Sequence, residues 1–299
     1  MAGTFRDSWT LTKTAFRVIR EDTALLAFPA LAAAAFLGIL VMLGGGILTL
    51  FLFQPITGTP FYVTMIILVI VMYVLLWFNG VYFTAALVGA ATMKLNGQQA
   101  TVRDGLAIAS AHWKKLFAWA IISGVVGLLI QAISSRVRGI GGMIIGIAAG
   151  ATWSLATYFI IPVLLYEQDG AWGSLKRSAT LYIHNFGRNF VSNLALGVIV
   201  ALPTIGAIFL GVYGLILLFS GSMALGVLLI SIAAAVFVFM LLLGGAAEGV
   251  LTAALYRFAT TGKLTEDLVS PQHVQMYPGP IARQARMTSG PLPSSGPLS

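Results

Sequence analysis

The sequence predicts an all-α fold: a polytopic transmembrane helical bundle of about six spans, with three cytoplasmic interfacial amphipathic helices. Three observations carry that prediction. Hydrophobic residues make up 59% of the 299-residue chain and charged ones only 9%, whereas a soluble domain is usually about 45–50% apolar and about 25% charged. The apolar residues gather in runs long enough to cross a bilayer, and the basic residues collect on one side of those runs.

A hydrocarbon core about 30 Å thick takes roughly 20 apolar residues of helix at about 1.5 Å each, because every backbone amide must be satisfied inside the segment. Six runs meet that length, at approximately 24–53, 61–93, 116–133, 140–166, 189–219 and 222–256. Several are longer than one crossing needs, so they must tilt, protrude or break. Gly44 to Gly46, Pro203 and the Gly244-Gly245 pair are the expected breaks.

Cytoplasmic loops retain an excess of Lys and Arg. Of the 17 basic residues, only Arg136 and Arg138 fall on the opposite side, so an even number of spans places both termini in the cytoplasm. The first 22 residues carry Arg6, Asp7, Lys13, Arg17, Arg20, Glu21 and Asp22, without the unbroken apolar run of a signal peptide, which predicts a retained N-terminus.

Each connector before an odd-numbered span reads as a short amphipathic helix. Phe5, Trp9, Thr12, Phe16 and Ile19 share one helical face, as do Val102, Leu106, Ala109, Trp113 and Leu116, and then Trp172, Leu175, Ala179, Tyr182 and Phe186. Such helices are expected in the inner interface, with Trp9, Trp113 and Trp172 facing the bilayer and Arg6, Lys13, Arg17, Arg20, Lys114 and Lys115 reaching anionic headgroups.

These boundaries divide the chain into an N-terminal interfacial helix (1–22), a six-span domain (23–265) and a Pro/Ser/Gly-rich cytoplasmic tail (266–299) expected to be disordered. The unit of amphipathic helix, span and return span occurs three times, over 5–95, 100–167 and 170–262. Thr84-Ala85-Ala86-Leu87 recurs as Thr252-Ala253-Ala254-Leu255; threefold duplication and chance recurrence of a short apolar word both account for it.

Glu248 is the one acidic residue inside an expected span. A carboxylate in hydrocarbon costs a few kcal/mol, roughly 3 on insertion scales, and faces a bundle interior or a wet cavity. Either it forms a structural pair near the boundary, or it works with Asn79 as an intramembrane polar site of a small transporter or channel. Gly142, Gly146 and Gly150 lie at four-residue intervals and predict a helix-packing groove, used inside one subunit or across a dimer.

Other chemistry finds little support. The chain has no cysteine, and neither His112 nor His184 has a second ligand at metal spacing, so no cofactor and no metal are expected. The glycines of 139–150 lack the Lys-Ser/Thr of a phosphate loop. The net charge of +8 is dispersed in short clusters between spans, which points to a membrane surface and not to nucleic acid.

Tyr158-Phe159-Ile160-Ile161-Pro162-Val163, followed by Glu167, Gly170, Leu175-Lys176-Arg177-Ser178 and Leu181, carries a family resemblance. It resembles the connector of the six-helix membrane domain attached to some bacterial glycerophosphodiester phosphodiesterases, and of related stand-alone prokaryotic membrane proteins of unknown function. Phe5, Ser8-Trp9, Leu11 and Lys13, with Phe28-Pro29, resemble the opening of the stand-alone group. The resemblance implies a six-helix fold without a known activity; no soluble segment is long enough for the phosphodiesterase barrel. On this connector Pro162 is expected to loosen the fourth helix, and Glu167 to pair with Lys176 or Arg177.

The functional expectation is a non-enzymatic integral protein of a prokaryotic cytoplasmic membrane, either lipid-engaging or organising a partner. That partner would be a second copy or another membrane protein.

Overall fold

The computed structural model describes residues 16–20, 22–53, 58–137, 139–168, 170–184 and 186–261. Arg6, Trp9, Lys13 and the expected tail lie outside the described residues. Among the described residues there is no strand.

Residues 16–20 are helical, and Asp22 then caps a 3-10 turn, Thr23–Leu26, by accepting from the Ala24 amide at 2.8 Å. Helix α1 (Ala27–Ile39) passes through a π-helical turn, Leu40–Gly44, into α2 (Gly45–Phe53), and together they form the first span. The second is α3 (Thr59–Leu95). A short α4 (Val102–Ala111) precedes the third, α5 (Trp113–Arg136). The fourth is split into α6 (Ile140–Thr157) and α7 (Ile160–Tyr166); α8 (Ala171–His184) then leads to α9 (Phe186–Phe219) and α10 (Met223–Thr261).

Six segments are long and apolar enough to cross a bilayer, from Thr23–Leu52 to Met223–Thr261. Their outward positions carry bare hydrocarbon: Met42 is 79% exposed, Ile66 59%, Phe209 70% and Phe219 82%. Only lipid solvates such a surface, so the protein is a transmembrane helical bundle.

Two of the expected breaks are absent. Helix α10 runs unbroken through Gly244 and Gly245, and α9 continues through Pro203. The first span does loosen, at the π turn just before Gly45. The fourth breaks at Tyr158 and Phe159, one turn before Pro162, at a position no glycine marks. Neighbouring helices and lipid hold a glycine pair in helix at little cost, whereas the fourth span has a partner waiting for the freed amide, described below.

The spans pair as three hairpins: α1–α2 with α3, α5 with α6, and α9 with α10. Each hairpin turn uses a glycine in the left-handed region: Gly58 at φ 103°, Gly139 at 73° and Gly221 at 90°. The opposite end, which carries the connectors, holds the core. There residues 85–91 of α3, 159–165 around α7, and 246–256 of α10 except Glu248 are buried. Helices α3, α7 and α10 touch one another at this centre.

Its composition follows from the solvent. Lipid tails are as apolar as Leu, so burial gives helices little reason to associate, and close packing of small residues must do so. Ala85, Ala86, Ala90, Ala91, Ala246, Ala247, Ala253 and Ala254 line the contact. A Cβ on Gly249 would stand 2.4 Å from Leu87 Cδ2, and one on Gly105 would stand 2.6 Å from the Ala86 carbonyl oxygen. These glycines let α10 and α4 reach α3.

The amphipathic connectors also depart from expectation. Val102, Leu106 and Ala109 of α4, with Leu116 at the start of α5, and Leu175 and Tyr182 of α8, turn toward the hydrophobic core and not down into lipid. Trp113 and Trp172 project, at 50% and 67% exposure. The apolar stripe is the same in both arrangements, but the bundle offers α4 and α8 a close-packed surface that lipid does not. Thr101 and Asp104 form a capping box that starts α4, and the Thr101 amide and hydroxyl hold the Asp104 carboxyl below the usual carboxylate range.

Candidate functional site

The connector motif assembles at the break in the fourth span. Proline has no amide hydrogen, so Pro162 cannot close a helical bond to Tyr158, and α7 restarts with it inside the first turn. The Phe159 amide, left without its helical acceptor, donates to the Ser178 hydroxyl at 3.0 Å. Ser178 is fully buried on α8, so one side chain both satisfies the break and fixes α8 against it.

Glu167 ties four helices at the end of α7. Its carboxylate accepts from Arg177 Nε of α8 at 3.2 Å and from the Tyr256 hydroxyl of α10 at 3.0 Å. Its backbone carbonyl accepts from Lys115 Nζ of α5 at 3.1 Å. Of the two expected partners Arg177 makes the ion pair, and Lys176 is exposed beside it. Tyr166 stacks on Tyr256 at 6.4 Å beside this junction. Two further ties close the same end: Lys94 pairs with Asp22, and the Arg257 guanidinium donates to the Leu95 carbonyl.

The expected lipid-facing cations divide. Arg17, Arg20 and Lys114 are exposed, with Arg103 and Lys176 beside them in character, whereas Lys115 is spent on Glu167. Lys114 Nζ stands 5.9 Å over the Trp113 ring. His112 and His184 bond carbonyls one turn back, Ile108 at 2.9 Å and Thr180 at 2.8 Å. Among the described residues no group of His, Asp or Glu could hold a metal ion.

The two intramembrane polar residues do not share a site. Asn79 is buried and its Nδ2 donates to the Ala32 carbonyl of α1 at 3.0 Å, an interhelical bond inside the first hairpin. Glu248 is exposed in a groove of about 310 Å³ between α9 and α10, with Asn193, Leu196, Val200 and Gly244 among its walls. Helix rotation decides the difference, since a polar residue in an apolar helix declares no direction by itself.

The glycine stripe of α6 is used within the chain at two of its three positions. A Cβ on Gly142 would stand 2.1 Å from the Val137 carbonyl oxygen, and one on Gly146 would stand 3.1 Å from Ser134 Cβ, both beside the end of α5. Gly150 has open space and packs on nothing. Sequence reasoning also missed a cavity of about 380 Å³ between α3, α5 and α6, walled by Trp77, Trp119 and Trp153. Trp119 and Trp153 stack at 5.8 Å, and Trp77 Nε1 donates to Ser123 Oγ at 2.7 Å. No spacing rule connects tryptophans on three helices.

A model of DUF6159, a family of unknown function, matches residues 60–266. The chain belongs to DUF6159. The matched region runs from the start of α3 beyond the end of α10, so the DUF6159 portion includes Asn79, the Glu167 junction, the tryptophan cavity and the Glu248 groove. No curated protein and no solved structure matches the chain.

Proposed function

We propose that this DUF6159 protein is a non-enzymatic integral protein of a prokaryotic cytoplasmic membrane, whose connector end faces the cytoplasm and engages anionic lipid headgroups. The observation that carries the reading is the exposure of Arg17, Arg20, Arg103, Lys114 and Lys176 at the end where the spans are locked together. Each cation near an anionic leaflet contributes about 1 kcal/mol. Trp113 and Trp172, amphipathic and exposed at the same end, suit the headgroup level. A platform of this kind can hold a second copy or another membrane protein at that surface. The likeness of the Tyr158 to Leu181 connector to the phosphodiesterase membrane domain supports a shared six-helix fold and brings no activity with it.

The test is lipid retention. Native mass spectrometry of the protein released from phosphatidylglycerol-containing bilayers should show anionic lipid bound to the wild type. The combined Arg17→Gln, Arg20→Gln, Arg103→Gln, Lys114→Gln and Lys176→Gln variant, at unchanged thermal stability, should retain much less. Equal retention would remove the reading.

A second reading, a small transporter or channel, is favoured by one observation: Glu248 is exposed in a groove between two spans. Liposome flux that survives Glu248→Gln would count against it.

A further inference from the structure

We propose that the Glu248 groove is a binding site for a lipophilic cation, an amphiphile with one positive charge on an apolar body. Glu248 stands nine residues before Arg257, about 13 Å away along the axis of α10. It is the exposed member of a stretch, 246–256, whose other residues are buried, and its carboxylate has no hydrogen-bond or ion-pair partner among the described residues. A carboxylate beside hydrocarbon walls needs a proton or a cation next to it.

Polar side chains from α9, α10 and the break in the fourth span lie near it, Asn193 on the groove wall itself. The Tyr158 hydroxyl, placed by the break between α6 and α7, donates to Asn193 Oδ1 of α9 at 3.3 Å. Thr252 of α10, one turn from Glu248, lies near the same hydroxyl. The rest of the groove is hydrocarbon and glycine: Leu196, Gly197, Val200, Met240, Leu241 and Gly244. Among the described residues α6 shares no extended packing with α9, so the groove is left open along its side.

Charge and shape then select the ligand. A neutral lipid tail fits the walls but leaves the carboxylate unmatched. A hydrated inorganic cation matches the carboxylate but not the walls. A lipophilic cation does both, partitions into the membrane unaided, and fits a volume of about 310 Å³, near the lower bound of small-molecule sites. The proposal shares the exposure of Glu248 with the transporter reading, yet binding without flux would sustain it while removing transport.

The experiment compares two ions of one shape and opposite charge, tetraphenylphosphonium and tetraphenylborate, by equilibrium dialysis against the full chain in neutral-lipid nanodiscs, with empty nanodiscs subtracted. Tetraphenylphosphonium should bind saturably, and Glu248→Gln, which keeps the side-chain shape, should weaken it about tenfold or more. Gly197→Leu, at a position where an added Cβ meets nothing within 4 Å, should abolish binding with Glu248 intact. Equal saturable binding of both ions, or affinity unchanged in Glu248→Gln, would overturn the proposal.

Discussion

Glu167 shows how one side chain can hold a membrane bundle together. Its pair with Arg177 is 44% and 24% exposed at the two side chains, so water screens it and its worth should be modest. A double-mutant cycle on Glu167→Gln and Arg177→Gln, read by thermal unfolding in one detergent, should give a coupling of about 0.5–1 kcal/mol. Tyr256→Phe removes a hydrogen bond to a charged group from a buried ring and should lose more, about 1.5–3 kcal/mol. A cycle with zero coupling would leave the Arg177 contact without energetic weight. The Arg177 half of this junction was legible, because acid and base lie ten residues apart across a connector. The Tyr256 half was not, since 89 residues and two spans separate it from Glu167.

At the scale of helices, glycine has two uses that look alike in sequence. Gly105 and Gly249 are points of closest approach, where a Cβ would meet the Ala86 carbonyl oxygen at 2.6 Å or Leu87 Cγ at 2.7 Å. Gly105→Ala and Gly249→Ala should each destabilise the bundle by about 1–3 kcal/mol. Gly150→Ala, with nothing within 4 Å, should instead stabilise α6 by about 0.5–1 kcal/mol through helix preference alone. Thermal melts of the three variants decide it, and a destabilising Gly150→Ala would mean that another chain occupies that face. The four-residue spacing pointed to Gly142, Gly146 and Gly150 and passed over Gly105 and Gly249. Spacing reports which residues share a face; the partner helix decides whether that face is used.

The molecule as a whole is three hairpins joined at one end, and the proposed orientation places that end in the cytoplasm. The chain has no cysteine, so single thiols report cleanly. An impermeant maleimide should label Ser222→Cys, in the turn between α9 and α10, on intact cells. It should label Gln98→Cys, between α3 and α4, only after permeabilisation; the reverse pattern would invert the proposed topology.

The amino-acid sequence by itself determined the class, the six spans and the one-sided gathering of charge, because hydropathy is read locally by the bilayer as each segment passes through it. Only the tertiary structure decided that Asn79 and Glu248 part company, that α4 and α8 turn their stripes to the bundle, and that Tyr158 joins Asn193 beside Glu248. Lipid-facing and helix-facing surfaces are equally apolar, so the rotation of each helix is settled by what packs against it, which no single segment carries.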